Sequence, residues 1–167
     1  MAAGADGPAA PGVSLRRTTA ADRGDLLRLW NDGRVMALVG FPDGLGLTPE
    51  AFDDWLAWVE ANPARHHFVV HAPGIGFGGE VYAAICGRAA SLDVKLVPEA
   101  RGRGLAATAL AALIDWVFAA YPEVEVVSTE PAKANAAAKR LYARCGLAPV
   151  PGEGPTPDHE RWERRRP

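Results

Sequence analysis

The sequence predicts an α/β fold of the α+β kind: one domain with a mixed, mostly antiparallel central sheet of roughly six to seven strands, flanked by about four helices. Three observations carry this expectation. The chain has 167 residues, the size of one ordinary domain. Near its middle, three strand-like segments at about His66–His71, Phe77–Cys86 and Ala90–Val97 are separated by Pro73-Gly74 and Gly87-Arg88, the pattern of an antiparallel meander. Beyond the meander, helical and extended patterns alternate up to Gly146.

Each element has a local reason. Met1–Gly12 is Ala, Gly and Pro with a single acid, without the basic and apolar regions of a secretory signal, and reads as a disordered arm. Val13–Thr18 favours a strand. Thr19 with Asp22 offers an N-cap and an acidic first turn to a helix marked by Leu26, Leu27 and Trp30. From Gly33 to Leu47 the residues Gly40, Pro42, Gly44 and Gly46 break regular structure and predict a loop, one suited to a substrate. Thr48 and Pro49 read as N-cap and first helical residue, followed by Phe52, Trp55, Leu56 and Val59 on one helical face to about Ala61.

In the third meander strand Leu92, Val94 and Leu96 alternate with Ser91, Asp93 and Lys95, so Asp93 points away from the apolar set. Leu110, Leu113, Ile114 and Val117 form the stripe of a helix over 102–120 that ends before Pro122. A strand over Val124–Ser128 follows, then a helix over Lys133–Cys145 stopped by Gly146. Residues 13–150 form the expected domain. The Pro- and Gly-rich tail, 151–167, ends in a segment at His159–Arg166 that reads as a short edge strand or a solvated basic end, and an edge there offers a route to a homodimer.

Composition narrows the function. Hydrophobic residues at 49% and charged ones at 23% are the balance of a folded chain. A net charge of −2 is too even for a nucleic-acid coat, and no apolar run approaches the ~20 residues that span a bilayer. Cys86 and Cys145 form no metal or disulfide pattern, so neither a metal nor an oxidising compartment is expected, and the cytoplasm fits best.

The chemistry concentrates in Val97-Pro98-Glu99-Ala100-Arg101-Gly102-Arg103-Gly104-Leu105-Ala106, between a predicted strand and the long helix. The first turn of a helix has N–H groups without internal partners and the positive end of the dipole, a cradle for a pyrophosphate. Gly102 and Gly104 let the backbone approach, and Arg101 and Arg103 add cationic donors. A tight turn with no ligand is the plain alternative. The same residues fit the G-x-G-x-x-G/A dinucleotide fingerprint, but too little chain follows Gly104 for the further βα units such a fold needs. Gly74–Gly79 fits it too, yet opens a strand and no helix.

Arg101-Gly102-Arg103-Gly104-Leu105-Ala106 resembles the R/Q-x-x-G-x-G/A pyrophosphate loop of the GNAT superfamily of acetyl-CoA-dependent N-acetyltransferases. Asn135-Ala136-Ala137-Ala138-Lys139-Arg140-Leu141-Tyr142-Ala143-Arg144-Cys145-Gly146-Leu147 is similar to the family's N-x-x-A-x-x-L-Y-x-x-x-G-F segment, with Leu147 in place of Phe. Trp30-Asn31-Asp32 and Arg34-Val35-Met36 look like the ribosomal-protein and spermidine acetyltransferase branches. The resemblance covers about 13–150 and implies the GNAT fold, with strands splayed at the cofactor site, and acetyl transfer from acetyl-CoA to a primary amine in a ternary complex. It makes Tyr142 the general acid that protonates the departing thiolate, and Asn135 a hydrogen-bonding partner of the pantetheine arm, with Ala138 in the same motif. It pairs the arm with the free edge at Val94–Leu96.

The proton acceptor is left between Glu80 and Asp93, each of which also reads as a solvent-facing strand residue; His66 and His67 are further candidates that read more readily as strand-edge residues. Cys86 and Cys145 lack a partner base and read as small apolar filling. Trp30, Trp55 and Trp116 fall on amphipathic helices, and Trp55 and Trp58 also suit an acceptor pocket. Polyamine, protein N-terminus and antibiotic amine stay open as acceptors. Two other functions stay open as well: a non-catalytic acyl-CoA-binding module and a dinucleotide oxidoreductase.

Overall fold

The computed structural model describes residues 8–167. The strands are β1 (Ala9–Ala10), β2 (Val13–Arg17), β3 (Arg65–Ala72), β4 (Gly76–Cys86), β5 (Ala89–Leu96), β6 (Val126–Thr129), β7 (Ala148–Val150) and β8 (Arg161–Arg165). The helices are α1 (Arg23–Trp30), α2 (Gly33–Met36), α3 (Pro49–Glu60), α4 (Leu105–Ala120) and α5 (Ala136–Arg144). All the strands lie in one sheet of order β1-β2-β3-β4-β5-β6-β8-β7, antiparallel except for the β5–β6 pair. A doubly wound parallel sheet, which a dinucleotide oxidoreductase of the Rossmann type requires, is therefore not what this chain builds.

Both faces of the sheet are covered. On one, α4 and α5 pack Leu110, Leu113, Ile114, Val117 and Tyr142 against Phe68, Val70, Val81 and Leu92. On the other, α1 and α3 bring Leu26, Leu29, Trp30, Phe52 and Leu56 onto Val69, Phe77 and Leu96. This double cover corrects the reading of His66 and His67 as edge residues: β3 is a central strand, and the two are 4% and 5% exposed. His66 stands on the α4 side, with Nε2 2.5 Å from Tyr121 Oη and its ring 5.0 Å from that of Trp116.

Helix ends follow the side chains expected. Thr48 Oγ1 accepts from Ala51 N at 3.2 Å, with Pro49 in the first helical position, an N-cap worth about 1 kcal/mol. Asn135 caps α5 in the same way, accepting from Ala138 N at 3.0 Å, so that helix starts at Ala136 and not at Lys133.

Four expectations change. Ala9 and Ala10 pair with Ser14 and Val13 as the edge strand β1, so the expected arm is structured there, while residues 1–7 lie outside the described residues. The predicted loop over 33–47 holds α2 and a 3-10 turn at Ala37–Val39, because the Asp32 side chain caps Arg34 N at 2.8 Å before the glycines begin. The long helix starts at Leu105, after a left-handed Gly104. The tail strand is not an edge: β8 inserts between β6 and β7. Arg166 follows it and donates to Phe118 O, Tyr121 O and Val124 O at 2.7–2.9 Å, binding the end of α4. Among the described residues no helix is long and apolar enough to cross a membrane.

Burial, and then the positive charge of Arg17, lower His66 from the usual histidine range to about 4. Below the ordinary value near 6.5 the unfolded chain takes a proton that the fold refuses, so stability falls as pH drops from about 6.5 to about 4. Melting curves between pH 7 and pH 4.5 are expected to show this fall, with a shallower slope in His66→Gln; equal slopes would contradict it.

Candidate active site

The parallel strands β5 and β6 pair only at Ala89–Val126, Ala90–Val127 and Ser91–Ser128. Beyond Ser91 they separate, and β5 from Leu92 to Leu96 keeps β4 on one side and a free edge on the other. The gap opens into a cleft of about 1040 Å³ lined by this edge, by the start of α4 and by one face of α5.

The turn before α4 has the features of an anion cradle. Gly102 and Gly104 have φ of +75° and +77°, a region costly to any residue with a Cβ, and nothing stands within 4 Å of where either Cβ would be. The backbone N–H groups of Gly102 to Ala107 find no acceptor in the described chain, and no side chain caps the helix. Free donors at a helix N-terminus suit a diphosphate. Arg101 lines the cleft and donates to Arg34 O at 3.3 Å, which ties the turn to α2. Arg103 does not line the cleft; two arginines missed from sequence, Arg140 and Arg144 on α5, do. Their i, i+4 spacing on the face that carries Asn135, Ala138 and Leu141 was the available signal.

Val94, Leu96, Leu105, Ala106, Asn135, Ala138, Tyr142 and Asp93 also line this cleft. Tyr142 is nearly buried, and burial together with the nearby Asp93 carboxylate raises its phenol above the ordinary value. It holds its proton throughout the neutral range.

Glu80 is elsewhere. Its carboxyl is 3% exposed on β4 and faces a second cavity of about 270 Å³, lined by Trp30, Trp55, Trp58, Leu45, Leu47 and Met36 among others. Trp30 Nε1 donates to Oε2 at 3.0 Å, His67 Nε2 lies 2.5 Å from the same oxygen, and Lys95 Nζ lies 3.3 Å from Oε1. Since a carboxylate only accepts, His67 donates to it from Nε2, while Nδ1 lies 2.6 Å from Thr18 Oγ1. Burial alone would raise the Glu80 carboxyl, yet His67 and Lys95 outweigh it and hold it well below the usual carboxylate range. Burial would likewise lower Lys95, and Glu80 and Asp93 raise it instead.

Asp93, Tyr82 and Lys95 line both cavities. The Asp93 carboxylate accepts from its neighbour's amide, Val94 N, at 2.8 Å and from the Lys95 ammonium. Sequence reasoning favoured Glu80 over Asp93; the structure puts Glu80 in a closed ion pair and Asp93 on the lining of both cavities. His67 and Lys95, which hold Glu80, were not foreseen, since neither belongs to a motif. Cys145, buried on α5's end, and Cys86 are both free thiols.

A family model, acetyltransferase (GNAT) domain, matches residues 13–148. The chain belongs to the GNAT acetyltransferase family. This membership carries the enzyme class, an acyltransferase that moves acetyl from acetyl-CoA to an amine. Among solved structures, the spermidine N-acetyltransferase from Vibrio cholerae in complex with CoA and spermine is 20% identical, with 93% of this chain and 96% of that chain covered and a TM-score of 0.80. The aminoglycoside acetyltransferase AAC(6')-Ib in complex with coenzyme A is 22% identical over 92% and 95% of the two chains, with a TM-score of 0.75. A GNAT-family acetyltransferase from Bacillus anthracis is 14% identical over 95% and 97%, with a TM-score of 0.76. No curated protein matches the sequence.

Replacing Gly104 by Val puts a branched side chain at a positive φ beside the free donors. Coenzyme A affinity, measured by calorimetry, is expected to fall at least about tenfold, and the melting temperature to fall as well, because a branched residue is strained at this φ even where the space is open. Unchanged affinity would show that the turn does not hold the ligand.

Proposed function

We propose that this enzyme acetylates a primary amine by direct attack, with the amine entering from the Trp-lined cavity and acetyl-CoA from the splayed cleft. The observation that carries this is the lining that the two cavities share at Asp93, Tyr82 and Lys95, where an amine on one side would meet a thioester on the other. The residues fit the donor. The N–H groups of Gly102–Ala107 and the Arg101 side chain hold its diphosphate, with Arg103, Arg140 and Arg144 adding positive charge. The free β5 edge at Val94–Leu96 and the Asn135 amide, whose oxygen is occupied by the helix cap, bind the pantetheine arm. When bound, acetyl-CoA supplies an activated acetyl group whose carbonyl carbon gains a bond to nitrogen as its bond to sulfur breaks.

An amine must be neutral to attack, and an alkylammonium has an ordinary pKa near 10. Asp93 takes that proton, directly or through water, and is the one carboxylate that borders both cavities among the described residues. Glu80 is a poor acceptor because its low basicity and its three partners oppose protonation; it positions Lys95 and His67. Tyr142, kept protonated by burial, delivers a proton to the departing sulfur and is reprotonated, through water, by the second proton that the attacking nitrogen sheds. The free thiols and the family's chemistry support a cytoplasmic enzyme. A homodimer through the tail is not retained, because β8 is paired on both sides and the outer strand β7 is three residues long with Pro149 at its centre.

Tyr142→Phe separates an enzyme from a non-catalytic acyl-CoA-binding module. Turnover measured by thiol release is expected to fall by about 10²-fold, the usual scale for one acid group, while coenzyme A affinity stays within a factor of about three. Unchanged turnover would remove Tyr142 from the chemistry.

A further inference from the structure

The second cavity is built almost entirely of apolar surface. Trp30 and Trp55 meet edge to face with ring centroids 4.7 Å apart, and Trp55 meets His67 in the same manner at 4.7 Å. Met36, Leu45 and Leu47 line the same cavity. Trp58 borders it while remaining 49% exposed, an exposure that a large aromatic ring on a helix does not need for folding. At about 270 Å³ the space holds a single ring with a short chain, and not an oligosaccharide.

The charges are arranged for one ammonium. Of the two carboxylates on the lining, Asp93 also borders the donor cleft and Glu80 does not, and both are bound by Lys95. Among the described residues no other carboxylate lines the cavity to receive a second ammonium. Arg65 lies over the Trp58 ring, 4.1 Å from its centroid, and donates to the Tyr82 hydroxyl, so a fixed positive charge guards that side. A polyamine entering there meets repulsion and no partner; a flat apolar substituent meets three indole rings.

We infer that the acceptor is a small monoamine with an aromatic or flat apolar tail, its amine at Asp93 and its tail against Trp30, Trp55 and Trp58. This rests on the acetyl-transfer reading above and narrows it to a substrate class. Trp58 is the specificity residue: it sits on the surface of α3, so its removal leaves the core and the donor cleft intact.

The test compares 2-phenylethylamine, spermidine and an aminoglycoside by thiol release, in the wild type and in Trp58→Ala, with tryptophan fluorescence as a second readout of amine binding. The expected result is a kcat/KM for 2-phenylethylamine at least about tenfold above the other two, falling about tenfold in Trp58→Ala, the scale of one lost aromatic contact, with the KM for acetyl-CoA unchanged. Equal or better turnover of spermidine or the aminoglycoside, or no effect of Trp58→Ala, overturns the inference and leaves acetyl transfer standing. Quenching by 2-phenylethylamine that is lost in Trp58→Ala, without thiol release from any amine, keeps the pocket assignment and overturns the transfer reading. Neither quenching nor turnover overturns both.

Discussion

Two parallel strands that pair over three residues and then part set up everything the molecule does. A continuous β5–β6 ladder would satisfy the backbone of Leu92–Leu96 internally and leave no room between α4 and α5. Because the ladder stops at Ser91, the sheet keeps an unpaired edge inside the fold, which is an expense in hydrogen bonds unless a ligand uses it. The turn at Arg101–Gly104 lies at the end of the same strand. Its two left-handed glycines face six backbone donors of Gly102–Ala107 outward and leave them without partners. One extended ligand with a peptide-like arm and a diphosphate head satisfies both deficits.

The acid–base groups depend on the same opening. Asp93 reaches both cavities because β5 is free on that side, whereas Glu80, one strand further in, is enclosed by His67, Lys95 and Trp30. Carboxylates on neighbouring strands thus acquire different surroundings from their partners, one held in its ionised form by His67 and Lys95 and the other on the lining of both cavities. Tyr142 approaches from α5 across the cleft, and the low solvent exposure that brings it close also keeps its proton in place.

Much of this was readable in the residues. Elements with a strong period and a clear stop, such as α3 behind Thr48-Pro49 and the β3–β4–β5 meander, lie within two residues of their expected bounds. The two motifs around Gly104 and Tyr142 lead straight to the cleft. What was hidden depends on long-range packing. The place of β8 between β6 and β7 follows from tertiary pairing that no local pattern encodes, and α2 rests on an Asp32 cap inside a stretch dominated by breakers. His66 and His67 looked like edge residues because polar side chains on a strand suggest solvent; cover on both faces of the sheet decides otherwise. Strand pattern favoured Glu80 over Asp93 because it carries no sign of the partners that enclose Glu80, and the arginines of α5 gain meaning only once their helix face meets the cleft.

The central claim is that the free amides of Gly102–Ala107 grip a diphosphate. Amide proton and nitrogen chemical shifts of the labelled protein, recorded as coenzyme A and then pantetheine are titrated in, address it directly. The account predicts that coenzyme A moves the Gly102–Ala107 signals strongly downfield and that pantetheine, which lacks the diphosphate, shifts only those along Val94–Leu96 and around Asn135. Saturating coenzyme A that leaves the Gly102–Ala107 amides where they began would contradict it.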